Sequence, residues 1–136
     1  MWTVILAAPV AAAMKDVRDI RNRVRDLINR EREKAGLVTL ELSDPLGTAA
    51  QDHCADMAKR DYFQTVNPEG EPVGVKAQKA GFGGRTVACL ARGPVSPEEA
   101  FETWSKSSRG NLLHPEIRYL GVAVTGGKWT LVLGTK

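Results

Sequence analysis

The sequence predicts an α+β layered domain, and three observations predict it. An amphipathic helical period fills the early part of the chain, helix-start signals recur at two later points, and two β-rich segments joined by Gly126-Gly127 close it. At 136 residues one core is expected, because two domains would each be too small to bury enough surface. A content of 43% apolar and 26% charged residues is that of a globular chain and excludes a disordered one.

Each element has its own signal. Across residues 15–35, Val17, Ile20, Val24, Leu27 and Ile28 recur at three- and four-residue spacing, and Gly36 supplies a left-handed exit. Residues 37–42 read as a short extended connector. Asp44 before Pro45 reads as an N-cap with proline at the first helical position, opening a helix to about Arg60. That helix should bury Leu46, Ala49, Ala50, His53 or Cys54, and Met57, its small residues implying close packing against a neighbour. A turn-rich loop holds Pro68, Gly70 and Pro72, and a short helix over 73–80 follows, closed by Gly81. Residues 85–91 have strand composition. Ser96-Pro97-Glu98-Glu99 is a strong helix start, and its helix carries Phe101 and Trp104 toward the core. Residues 119–125 and 128–133 form strands, with Gly126-Gly127 suiting a tight primed turn.

Charge excludes little by itself. The net +3 does not call for nucleic acid, but residues 15–34 hold eight Lys or Arg against five Asp or Glu, a surplus equal to the whole chain's. Such a segment is either a solvated helix face with intrahelical ion pairs or a contact for an anionic surface. Residues 1–14 form a separate apolar segment ahead of a domain over 15–136. Only Thr3 interrupts the apolar run from Trp2 to Ala13, which is too short for the ~20 residues of a membrane-spanning helix. It reads as export-signal-like, as a segment contacting a membrane or partner, or as a packed arm. Through residues 1–34 a membrane surface or a partner's transmembrane helices come into reach. Two cysteines, Cys54 and Cys89, allow one bridge or two buried thiols, and with only His53 and His114 there is little material for a zinc centre.

In order along the chain, several motifs resemble the bacterial SCP-like branch of the CAP superfamily (cysteine-rich secretory, antigen 5 and pathogenesis-related proteins). LINREREKAGL over 27–37 looks like its opening helix, with Asn29, Arg32, Gly36 and Leu37 in place. His53 to Ala58 resembles its His-small-x-x-Met-Ala pattern, NPEGEP over 67–72 its Pro-Asp-Gly loop, and KAGF over 79–82 its helix exit. WSKSSRGNLLHP over 104–115 is similar to its Trp…Ser…Gly-His-Arg-x-Asn-Ile-Leu motif, and LGVAV with KWTLVLG to its closing hairpin. The resemblance covers about residues 20–134. It implies a three-layer α-β-α sandwich with a small mixed or antiparallel sheet, work outside the cytoplasm, and a cleft whose two histidines and acidic residues can bind a divalent metal.

The departures fall on that cleft. Where the family has its first histidine this chain offers Gln64, the strand glutamate becomes Ala88 with Cys89 in place of the following asparagine, and the second histidine becomes Ser108. Gln64, Ala88 and Ser108 are not useful zinc ligands and do not titrate near neutral pH. No catalytic residue, metal ligand or cofactor is therefore expected. By the same resemblance Arg109 and Asn111 should brace the cleft loop through backbone hydrogen bonds. Cys89 on its strand and Cys54 on the helix packed beside the sheet offer a disulfide worth ~3–4 kcal/mol, with two independent thiols as the alternative. His53 is expected to pack or hydrogen-bond, and His114 to lie in a loop. The function expected is a non-catalytic binding or scaffold module with protein partners, pictured as an accessory subunit of an extracytoplasmic or membrane-associated assembly. The alternatives are a carrier of small lipid or sterol-type ligands and a hydrolase with relocated residues.

Overall fold

The computed structural model describes the backbone of residues 2–136 and the side chains of residues 16–136. Nine elements follow one another: α1 (Trp2–Lys34), β1 (Glu41–Leu42), α2 (Asp44–Arg60), α3 (Val73–Lys79), β2 (Thr86–Arg92), α4 (Pro97–Ser107), α5 (Arg109–Leu112), β3 (Ile117–Thr125) and β4 (Lys128–Thr135). The first helix starts earlier than its amphipathic period, because an Ala-rich run has high helix propensity and continues into it. The side chains of the apolar segment 1–14 lie outside the described residues. Among the described residues no helix is long and apolar enough to cross a membrane.

The four strands form one mixed sheet in the order β1-β3-β4-β2. The hairpin β3–β4 is antiparallel, from Ile117↔Thr135 to Thr125↔Lys128, and closes through Gly126 and Gly127 at φ of 56° and 76°. Positive φ at both central residues is what a primed turn requires and what glycine adopts without strain. β2 lies antiparallel against β4, from Thr86↔Gly134 to Arg92↔Lys128. The expected connector becomes β1, a two-residue parallel pairing of Glu41 and Leu42 with Tyr119 and Leu120.

Helices cover both faces, giving the three-layer α-β-α sandwich. On one face α1, α4 and α5 bury Val24, Ile28, Trp104 and Leu112 against Cys89, Leu131 and Leu133. On the other, α2 and α3 bury Leu46, Ala49, Ala50, Cys54, Val73 and Ala77 against Ala123 and Val132. α2 lies so close that a Cβ on Gly121 would strike the backbone of Leu46 and Gly47, so only glycine fits there. The cap of α2 is Ser43 rather than Asp44: the Ser43 Oγ accepts from the Leu46 N–H, while Asp44 is already helical. At α4 the expected start holds, with the Ser96 Oγ accepting from the Glu99 N–H.

Candidate functional site

A strand alternates its side chains between faces, and β2 divides the expected cleft residues accordingly. Cys89 and Ala91 are buried in the cluster under α1 and α4, while Ala88 packs against the cluster of α2 and α3. Ser108, the residue between α4 and α5, comes up on the Cys89 side. There the Asn111 Nδ2 lies 3.8 Å from the Cys89 Sγ. Burial pushes the Cys89 thiol up, partly offset by hydrogen bonds from Ser108 and Asn111. Gln64 presents its backbone carbonyl, which accepts from the His53 Nε2 at 2.7 Å. Cys89, Ser108 and Asn111 thus come together, and Ala88 points away from them.

The same alternation overturns the disulfide. Cys54 donates to the Ala123 carbonyl at 3.2 Å and lies 3.1 Å from the Thr130 Oγ1, whereas Cys89 pairs with Leu131, the next residue of β4 and hence on the opposite face. Both are free, buried thiols separated by the sheet. Burial raises the Cys54 thiol above its ordinary value.

Bracing also falls elsewhere than expected. Arg109 is exposed and only reaches Glu31 at 4.0 Å. The loop is held instead by Arg32, fully buried, whose guanidinium donates to the carbonyls of Val38 (2.7 Å), Leu112 (2.9 Å), His114 (3.0 Å) and Ile117 (3.3 Å). Its pKa lies below the ordinary value through burial and the nearby Arg118. A sequence signal for this existed: Arg32 continues the buried stripe Val24–Ile28 at four-residue spacing. Asn29 assists by exchanging two hydrogen bonds with the backbone of Leu40.

Neither histidine meets a carboxylate. His53 is buried between α2 and the segment after it, edge-on to Tyr62, and its Nδ1 has no hydrogen-bond partner among the described residues. Protonation would bury an unpaired N–H there, so desolvation lowers its pKa, with the Gln64 carbonyl opposing. His114 uses its Nδ1 to accept from the Glu116 N–H. It lines a pocket of about 250 Å³ with Arg85, Val87, Asn111 and Leu133, and Arg85 crosses its rim to Glu116 at 2.7 Å. Beside His53, the Tyr62 hydroxyl donates to Asp56, which Arg60 also grips at 2.7 Å, holding that carboxyl down at about 2.

The divalent metal implied by the resemblance does not fit these residues. Ala88 has no donor atom, and Gln64 and Ser108 are neutral oxygen donors that bind zinc weakly. Among the described residues no three His, Cys, Asp or Glu side chains gather closely enough to hold an ion.

Fold and motifs together define a CAP domain, and comparison with known proteins establishes it. The family described as "Cysteine-rich secretory protein family" (CAP) matches residues 25–132, and the chain belongs to that family. It is 30% identical over 125 residues to the uncharacterized protein YkwD of Bacillus subtilis, an alignment covering 88% of this chain and 48% of that protein. Among solved structures, an extracellular SCP-domain protein from Bacillus anthracis superposes with a TM-score of 0.81 at 24% identity, over 88% of this chain and 41% of that one. An outer surface protein of Borrelia burgdorferi superposes with a TM-score of 0.69 at 19% identity, over 80% and 86%. The chain spans about half the length of the curated relative it matches.

Proposed function

We propose that this CAP domain is a non-catalytic binding module, working outside the cytoplasm as part of a larger assembly. The observation that carries the reading is the composition of the cleft positions. Gln64, Ala88 and Ser108 offer no charged or near-neutral titrating group, while the surrounding framework, Arg32 and Asn29 included, is fully built. General acid–base chemistry needs a positioned group that changes protonation near the working pH. His53 is the one buried imidazole, and its partner is a backbone carbonyl. Ser108 has a thiol and an amide as neighbours in place of a base. The location outside the cytoplasm rests on relatives of which one is an extracellular protein and another an outer surface protein.

Isolation of the tagged protein from its source, from membrane and soluble fractions separately, tests this. A stoichiometric protein partner is the expected result. Recovery of a lone monomer from both fractions, or turnover of a substrate abolished by changing Ser108 or His53, would overturn it.

A further inference from the structure

The strand that carries the altered cleft positions is also the free edge of the sheet. The Arg85 carbonyl accepts from the Thr135 N–H, and the Gly93 N–H donates to the Gly127 carbonyl. Antiparallel pairs alternate, so residues 87, 89 and 91 spend their backbone groups on β4 while Thr86, Ala88, Leu90 and Arg92 turn theirs outward. Among the described residues, no hydrogen bond outside the strand ladder engages the backbone of those four. Proteins protect such edges with charges, proline, bulges or a covering element. The run from Thr86 to Ala91 has no charge, no proline and no break in register.

The surroundings select an occupant. An added strand would place alternate side chains on the two faces of the sheet. On the α5 side, the pocket beside Val87 has an apolar floor of Val87, Ile117 and Leu133 and a volume suited to one side chain, about 250 Å³. The flanks are basic. Arg92 is exposed at one end of the strand, stacked 4.4 Å from the Phe63 ring centroid, and Arg85, ion-paired to Glu116, stands just before the other end. The neighbouring α3 carries Lys76 and Lys79, the latter paired to Glu71, and α5 carries Arg109, 4.0 Å from Glu31. On α4, Glu98 is paired to Arg23 and Glu99 accepts from the Val95 N–H.

We infer that the outer edge of β2 takes an extended, acid-flanked peptide segment of a partner protein as a fifth strand, with one apolar side chain seated beside Val87. The inference deepens the binding-module reading and rests on it. Main-chain hydrogen bonds to Thr86, Ala88 and Leu90 would supply affinity, and the pocket and the flanking cations would supply selectivity.

The test pans the full chain against two libraries of eight-residue peptides with randomised centres, one with acidic and one with basic flanks. Enrichment from the acidic library is expected. Hydrogen exchange should then slow at the amides of Thr86, Ala88 and Leu90. Ala88→Pro removes an outward N–H and no ladder bond, and should weaken binding at least tenfold. Peptides N-methylated at alternate amides should lose as much, which keeps the test decisive if the variant folds poorly. No enrichment, preference for basic flanks, or equal binding by Ala88→Pro would overturn the inference. So would a dimer abolished by Ala88→Pro, which would assign the edge to a second copy. A natural partner that still co-purifies with Ala88→Pro would overturn the edge while leaving the binding module standing.

Discussion

The two faces of the sheet are packed by opposite means. Under α1 and α4 the core is made of large side chains: Trp104 and Trp129 meet edge to face, with Leu131, Leu133 and Ile28 around them. Under α2 and α3 it is made of small ones, Ala49, Ala50, Ala77 and Ala123, so that α2 sits directly on Gly121. The first face is sensitive to what is removed and the second to what is added, and β2 contributes to both. A binding edge supported by two such differently built walls can be probed from either side.

The largest effects should come from deletions on the large-residue face. Trp104→Ala should cost about 3–5 kcal/mol in denaturant unfolding, since a fully buried indole leaves a cavity the helix cannot collapse into. A loss below 1 kcal/mol would show that this face is not close-packed. Arg32→Met should follow at about 3 kcal/mol, because four carbonyls lose their donor and buried acceptors left unpaired are costly. Arg32→Lys should recover only part, as an ammonium cannot span the same fork. On the small-residue face Gly121→Ala should destabilise by about 1–3 kcal/mol, the cost of overpacking, whereas an alanine is easily tolerated at exposed Gly83, where a Cβ meets open space.

A smaller effect is a pH dependence carried by α2 alone. The folded pKa of His53 is lowered below 6.5, so at lower pH the unfolded chain binds the proton first. The stability this contributes is complete above about pH 6.5 and lost as pH falls from there toward the folded value. His53→Gln should flatten the stability profile between pH 7 and 5. Asp56, held at about 2, loses its contribution only in a separate, more acidic window, from about 3.8 downward. The smallest effect is chemical: unreduced, denatured protein should titrate two thiols, and none would restore the Cys54–Cys89 bridge.

How much of this could be read in the sequence depended on the range of the forces involved. Local patterns carried the helices, the Ser96 cap and the glycine hairpin, each settled within a few residues. The two-residue β1 was legible only as extended chain, because what makes it a strand is pairing with Tyr119 and Leu120 far along the sequence. The cap of α2 was displaced by one residue since serine and aspartate both satisfy a first-turn N–H, and the chain direction into the helix favoured Ser43. The alternative between His53 and Cys54 dissolves, both being fully buried, because α2 is covered by the sheet on one side and by the 61–64 segment on another. Strand parity decided what sequence could not. It set Cys54 and Cys89 on opposite faces, and it parted Ala88 from Ser108.

The most direct measurement for the central claim is a calorimetric titration of zinc into the intact protein at neutral pH. With Gln64, Ala88 and Ser108 at the positions where the family resemblance implies metal ligands, the proposed reading predicts no saturable site in the micromolar range. A one-to-one site in that range, lost on Ser108→Ala, would contradict the account.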